Sequence, residues 1–161
     1  MAEGAITLEI VTPSGPVLRE DVSYVAAPSV KGELGVLPGH VPVLAALRAG
    51  IVTYARGGEE KRLAIAEGFL ELADDRALIL TDKVMRRDAI DPVPVRLELA
   101  EVARALEAYA GELGAPEWQE LIAREAWAAV QLELYGDPPI AIRHPLEREA
   151  PPLPVREAPR S

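Results

Sequence analysis

The sequence predicts a β plus α fold, in which an N-terminal antiparallel β-sandwich is followed by a C-terminal α-helical hairpin. Three observations support this prediction. Apolar and polar residues alternate from Ala5 to about Val84, and turn residues interrupt the alternation at short intervals. Beyond Asp91 the apolar period lengthens to between three and four residues, which is typical of amphipathic helices. Glycine and proline at 111–116 divide this helical part into two.

Two hairpins are predicted within the β region. The strand patterns at 51–56 and 61–66 flank the Gly57-Gly58 pair, and two adjacent residues that accept positive φ suit a tight turn between antiparallel strands. A second pair of strands, at 69–72 and 77–80, is joined by a short acidic segment that also suits a turn. Consecutive antiparallel strands of this kind favour a sandwich or barrel.

Two helices are predicted after the strands. Asp91 can cap the first helix, and Pro92 suits its first turn because a missing N–H costs nothing there. The second helix is predicted from about Glu117 to Tyr135, with Gln131 on its polar side. Such a small helical pair cannot bury both of its apolar stripes, so we expect it to lean on the sandwich or on a partner. The apolar stripe of the first helix consists of Val95, Leu99, Val102, Leu106 and Tyr109.

The length of 161 residues is enough for one ordinary domain with a smaller appendage. We predict a β-sandwich domain at 1–88, a two-helix hairpin at 89–136 and a proline-rich flexible tail at 137–161. No stretch approaches the roughly 20 apolar residues that a membrane-spanning helix needs. The first four residues carry no recognisable targeting pattern, so we expect the chain to work in the cytosol or an equivalent compartment.

Composition excludes several classes of function. The chain contains no cysteine, which rules out disulfide scaffolds, thiolate metal sites and cysteine nucleophiles. The formal net charge of -9 would be repelled by the phosphate backbone of DNA or RNA, so no nucleic-acid partner is expected.

The common catalytic and nucleotide-binding motifs are absent, and we predict no catalytic, cofactor-binding or metal-binding residues. His40 and His144 lie far apart in the sequence. Asp74 and Asp75 are adjacent on a predicted turn, where neighbouring side chains usually point apart into water. An alternative hypothesis is a small hydrolase that uses Asp74, Asp75 or Asp82 with His40, and it requires these side chains to converge in one pocket.

The segment at 29–42 stands out because its three glycines and two prolines impose a particular backbone path. We predict a stiff, shaped loop that Leu34, Val36 and Leu37 anchor to the core. A simpler alternative is a turn in which His40 only makes a local hydrogen bond.

This segment resembles the epsilon subunit of bacterial F-type ATP synthase, the equivalent of the mitochondrial delta subunit. Residues 32–44 read GELGVLPGHVPVL and match the family pattern G-E-L-G-x-x-P-G-H-x-P-x-L. The segments at 49–51, 67–72 and 80–82 are also similar to the family, and the resemblance extends over about 6–135.

The resemblance implies a non-catalytic central-stalk subunit of the proton-translocating enzyme, which couples the gamma subunit to the c-ring. It would lie peripherally at the cytoplasmic face of the bacterial plasma membrane, and catalysis would occur on other subunits. By position, the resemblance implies that the c-ring-facing loop consists of Lys31, Gly32, Glu33, Leu34, Gly35, His40 and Val41.

In this family the hairpin can also extend into the alpha/beta catalytic head and inhibit ATP hydrolysis. The second helix here contains only Arg124 against four glutamates, whereas inhibitory helices usually carry several basic residues. The family's ATP-binding pattern I-D-x-x-R-A is broken, because Pro94 replaces its arginine and the arginine comes at Arg96. We therefore expect coupling and assembly more than inhibition, and no nucleotide binding. The main alternative is a β-sandwich adaptor that binds an unrelated partner.

Overall fold

The computed structural model describes residues 4–137, so the predicted tail at 137–161 lies outside the described residues except for Asp137. Within residues 4–137 there are ten β-strands, one short 3-10 helix and two α-helices. Their bounds are β1 Ile6–Thr12, β2 Gly15–Val22, β3 Tyr24–Ser29, β4 Gly32–Val36, β5 Val43–Leu47, β6 Gly50–Arg56, β7 Glu59–Ile65, β8 Gly68–Ala73, β9 Arg76–Thr81, β10 Val84–Arg86, η1 Arg87–Ala89, α1 Pro92–Glu107 and α2 Pro116–Tyr135.

The strands form one hydrogen-bonded path that folds on itself into a sandwich. Their order is β10-β7-β6-β3-β5-β8-β9-β1-β2, and β4 pairs with the free side of β3. The predicted class, a β-sandwich followed by a helical hairpin, is confirmed. One pairing departs from the predicted antiparallel arrangement, because β1 and β9 run parallel with Thr7 opposite Arg76. Because of this pairing, β8, β9, β1 and β2 lie side by side in the sheet.

Along most strands every second side chain lies in a common core, whereas residues 25–29 of β3 are buried without alternation. Ile6, Leu8 and Ile10 of β1 are fully buried, as their spacing predicts. The cluster also contains Tyr54 of β6, whose pKa is raised by burial and, to a smaller extent, by the nearby Glu20 carboxylate. Apolar side chains from both halves of the sandwich meet in this cluster, and we take its burial as the main source of stability.

Both predicted hairpins are present, and their turns use positive φ angles. Gly57 and Gly58 have φ of 58° and 80° between β6 and β7. Asp74 and Asp75 have φ of 50° and 56° between β8 and β9. Aspartate tolerates this region better than most residues, and such turns match the twist of the flanking strands.

The helical hairpin also follows its sequence signals. The Asp91 carboxylate accepts a hydrogen bond from the Val93 N–H at 3.1 Å and caps α1. Val102, at the centre of the predicted stripe, is fully buried. Tyr109 lies just beyond the end of α1, where its ring centroid is 5.3 Å from that of Trp118. Gly136, with φ of 108°, ends α2 in the left-handed conformation.

Helix α2 packs on the sheet formed by β6, β7 and β10, so the hairpin leans on the sandwich. Val130 and Leu134 form a small cluster with Ala64 and Ile90, and both helix residues are almost completely buried. The grouping of Gln131 with the charged side of α2 does not describe its surroundings: it is buried, and its amide N–H donates to the Trp127 carbonyl oxygen at 3.2 Å. Because α2 contacts both α1 and the sheet, it buries more than one side.

Gly68 is required by the close approach of β8 and β9. A Cβ atom on Gly68 would lie 1.9 Å from the Leu80 carbonyl oxygen, so Gly68→Ala would force the strands apart. We expect this variant to lose about 1–3 kcal/mol of unfolding free energy in urea denaturation. Gly35→Ala is the control, because a Cβ there meets no atom within 4 Å. Equal stability of the two variants would contradict the role given to Gly68.

Candidate partner-binding surfaces

Four of the residues predicted to form the c-ring-facing loop, Gly32, Glu33, Leu34 and Gly35, lie in a strand and not in a loop. Residues 32–36 are strand β4, paired with β3, and only Val30 and Lys31 form the turn between them. The Ser29 hydroxyl secures this turn by donating to the Gly32 carbonyl oxygen at 2.6 Å and accepting from the Lys31 N–H at 3.2 Å. Lys31, Gly32, Glu33 and Gly35 are exposed and Leu34 is half-buried.

The other two predicted residues, His40 and Val41, lie in the connection between β4 and β5. The His40 N–H donates to the Leu37 carbonyl oxygen at 3.1 Å and closes a turn around Gly39, which has φ of 81°. The His40 Nδ1 atom lies 2.7 Å from the Val41 carbonyl oxygen, so the local hydrogen bond predicted for His40 is present. Val36 anchors the segment in the core, but Leu37 is exposed and the anchoring predicted for it is wrong.

An aspartate from another turn holds this connection in place. The Asp75 carboxylate accepts a hydrogen bond from the Gly39 N–H at 2.7 Å, across 36 residues of sequence. The solvated turn expected for the two aspartates describes exposed Asp74, whereas Asp75 is half-buried and has this structural contact. The Lys31 turn is held elsewhere, since the Val30 N–H donates to the Ala46 carbonyl oxygen at 3.0 Å. Different strands therefore position the two groups of predicted residues.

A second candidate surface lies on the outer face of β5, β8, β9 and β1. Four apolar side chains stand opposite one another across these strands, and Leu44 lies beside them on β5. Leu44, Phe69 and Leu80 are 72%, 56% and 46% exposed. We call this surface the apolar row; it consists of Val11, Leu44, Ala46, Phe69 and Leu80. The sequence predicted none of these residues as a contact site. Apolar residues recur at every second position whether they face the core or the solvent, so the pattern does not distinguish the two faces.

The two outer faces of the sandwich therefore differ. Helix α2 covers the face made by β6, β7 and β10, while nothing within residues 4–137 covers the apolar row. Contiguous exposed apolar surface on a protein is often an interaction site.

The side chains of the hydrolase hypothesis are not brought together. Asp74 precedes β9 and Asp82 follows it, so the two lie at opposite ends of the strand and line different cavities. The Asp75 carboxylate is engaged by Gly39. No group of three or more potential metal-ligating side chains occurs in the described part of the chain.

Three arginines make polar contacts in and around the helical hairpin, and two of these contacts join its own two halves. The Arg87 guanidinium donates to the Tyr135 carbonyl oxygen at the end of α2, at 3.2 and 3.3 Å. Arg96, from the interrupted ATP-binding pattern, lies 2.6 Å from the Asp137 carboxylate. Arg124 of α2 donates to Glu98 of α1 at 2.8 Å, and this hydrogen bond lowers the pKa of Glu98. Neither helix is long and apolar enough to span a bilayer.

The fold and these surfaces define a class of protein: a small β-sandwich that carries a helical hairpin on one sheet and leaves the other sheet open for contacts. The family model described as ATP synthase, Delta/Epsilon chain, beta-sandwich domain matches residues 5–87. The chain belongs to this family of ATP synthase delta/epsilon chains.

Curated relatives support the assignment. The chain is 40% identical over 103 residues to the ATP synthase epsilon chain of Anoxybacillus flavithermus, an alignment that covers 64% of this chain and 77% of that one. It is 43% identical over 86 residues to ATP synthase epsilon chain 2 of Syntrophotalea carbinolica, covering 53% of this chain and 62% of that one.

Solved structures share the fold. A chain of the Euglena gracilis mitochondrial ATP synthase, in an OSCP/F1/c-ring structure, matches with a TM-score of 0.61 and 24% identity, covering 83% of this chain and 79% of that one. A chain of the Tetrahymena thermophila mitochondrial ATP synthase central stalk and c-ring matches with a TM-score of 0.55 and 16% identity, covering 81% and 96%.

The Asp75 contact can be isolated by comparing two neighbouring aspartates. Asp75→Ala and Asp74→Ala each place alanine at a positive φ, but only the first removes the hydrogen bond to Gly39. We expect Asp75→Ala to lose about 1 kcal/mol more unfolding free energy than Asp74→Ala. Hydrogen exchange at the Gly39 amide should accelerate only in Asp75→Ala. Unchanged Gly39 exchange would show that the connection is held by other contacts.

Proposed function

We propose that this chain is a non-catalytic subunit of the central stalk of proton-translocating F-type ATP synthase, the rotor part that joins the gamma subunit to the c-ring. Family membership and the names of the relatives support a place in this complex. The observation that carries the proposal is the apolar row on an otherwise complete sandwich. A chain with a filled core and a docked hairpin has no internal use for exposed Leu44 and Phe69.

The gamma subunit is the partner that we assign to the apolar row. Row residues come from neighbouring strands whose register is fixed by main-chain hydrogen bonds, so the surface is preorganised before binding. A preorganised apolar surface loses little conformational entropy on association. Such a surface suits a stalk, which must transmit torque without internal slippage.

The c-ring is assigned to the β3–β4 hairpin and the β4–β5 connection. The exposed charges of Lys31 and Glu33 on a short, tight hairpin can fix the register of a polar partner, because charge complementarity favours one alignment over others. The residues proposed to face the ring are Lys31, Gly32, Glu33, Leu34, Gly35, His40 and Val41.

The helical hairpin is proposed to stay on the sandwich and to support assembly more than inhibition. In this proposal residues 1–88 bind gamma and the c-ring, 89–136 form the hairpin, and 137–161 are a separate tail. Contact of the hairpin with the alpha/beta head is the alternative arrangement, which the four glutamates of α2 oppose. The subunit would lie peripherally at the cytoplasmic face of a bacterial plasma membrane, with no cofactor of its own.

Two similarly exposed leucines test the role of the apolar row. Leu44 in the row is 72% exposed, and Leu97 on the outer side of α1 is 67% exposed. We expect Leu44→Asp to reduce the gamma subunit that co-purifies from solubilised membranes by about tenfold or more, because a carboxylate would be buried against apolar surface. Leu97→Asp should leave recovery unchanged. Equal recovery with both variants would contradict the assignment, and recovery of an unrelated partner would favour the adaptor hypothesis.

The proposed role of the hairpin can be tested by deleting residues 91–161. Because the acidic α2 is poorly suited to an inhibitory position in the head, we expect membrane ATP hydrolysis to change by less than about twofold. Co-purification of the truncated chain with gamma controls for loss of the sandwich. A several-fold rise in hydrolysis, with gamma still bound, would show that the hairpin is inhibitory.

A further inference from the structure

Strand β4 is the least protected edge of the sandwich. Within residues 4–137 it has a strand partner on one side only, which is β3. The edge strand β2 contains Pro16, and its pairing with β1 has a register irregularity between Pro16 and Leu18. It also carries Glu20, whose carboxylate lies 3.6 Å from the guanidinium of Arg56 on β6. The edge strand β10 has only three residues. Proline, bulges and shortness are three common ways to block an edge, and β4 has none of these three; its one charged residue is Glu33.

The hydrogen bonds of β3 show which main-chain groups of β4 point outward. On one side of β3, the Arg48 N–H donates to the Pro28 carbonyl oxygen at 2.9 Å, so the Pro28 carbonyl points away from β4. In an antiparallel pair, hydrogen-bonded and non-hydrogen-bonded positions alternate. Glu33, opposite Pro28, and Gly35, two residues on, therefore direct their N–H and C=O groups away from β3.

These outward groups are accessible. Glu33 and Gly35 are both exposed, and a Cβ built on Gly35 would meet no atom within 4 Å. Two donor–acceptor pairs spaced two residues apart are what an added strand requires, because alternate residues of a strand bond to the same side. The edge can thus accept an extended segment of three or more residues without rearrangement of β4.

The edge is also continuous with the apolar row. The β3–β4 turn contacts the row directly, since the Val30 N–H donates to the carbonyl oxygen of Ala46, a member of the row. The Val30 side chain is itself exposed and apolar. Strand β3 lies between β5 and β4, so the outward edge of β4 is about two strand spacings, roughly 10 Å, from the row at this end of the sheet, a span that one partner can cover.

We propose that the free edge of β4 pairs, through the main-chain groups of Glu33 and Gly35, with an extended segment of the subunit that covers the apolar row. This inference rests on the proposed function, which assigns that subunit as gamma. It is compatible with ring-facing side chains on β4, because side chains project from the sheet surface while main-chain groups point along it.

Hydrogen exchange on the wild-type chain, free and in its complex with gamma, tests the pairing. In the free chain the amides of Glu33 and Gly35 should exchange quickly, while the Leu34 amide, which faces β3, should already be slow. On binding gamma, the Glu33 and Gly35 amides should slow by about tenfold or more. Fast exchange at both positions in the gamma complex would overturn the inference, as would protection that arises only when the c-ring is added.

A matched pair of variants gives a second test. Gly35→Pro removes the outward N–H and leaves the bonds to β3, a substitution that edge strands tolerate. Gly35→Ala adds a side-chain atom but keeps the N–H. We expect Gly35→Pro, at unchanged thermal stability, to give about tenfold lower gamma recovery than Gly35→Ala, because only the proline variant lacks the outward N–H. Equal recovery would overturn the pairing alone, whereas failure of the wild-type chain to bind gamma would contradict the proposed function as well.

Discussion

The positions of both candidate surfaces depend on strand β3, which forms main-chain hydrogen bonds with β4 on one side and with β5 and β6 on the other. On one side it pairs with β6 near Tyr24 and, after a short gap, meets β5 at Ser29; on the other side it pairs with β4. Because residues of a strand alternate between its two sides, β3 can connect both halves of the sandwich and still carry β4. The hydrogen bonds that Pro28 accepts from Arg48 and that Val30 donates to Ala46 therefore fix the β3–β4 hairpin next to the apolar row.

Apolar burial, more than ion pairing, holds the helical hairpin against the sandwich. The ion pair between Arg96 and Asp137 is about half exposed on both sides, and exposed pairs contribute little because water and salt screen them. Burial of a valine or leucine side chain contributes about 1.5–3 kcal/mol, and α2 buries both Val130 and Leu134 against the sheet. The arginine contacts thus define where the helix ends lie, while the apolar cluster provides most of the docking energy.

Local patterns predicted the features that local chemistry determines. The Gly57-Gly58 turn and the Asp91 cap were predictable because each needs only the residues beside it. Strand β4 was not, because five residues with two glycines give no usable alternation. The bond from Gly39 to Asp75 joins residues 36 apart, and the burial of Gln131 depends on α2 having two packing partners. Neither of these has a signal in a single sequence.

The residues at 32–44 determine a particular backbone conformation and contain few reactive side chains. Gly32 and Gly39 have φ of 121° and 81°, a region that side chains with a Cβ rarely adopt. Gly35 has an ordinary φ but leaves the strand edge open, and the one imidazole, that of His40, bonds to its neighbouring carbonyl. A reaction centre would need polar side chains that converge on one point. What residues 32–44 provide instead is a rigid outline with accessible main-chain groups, and in the proposed assembly this outline would recognise a partner by shape and main-chain hydrogen bonds.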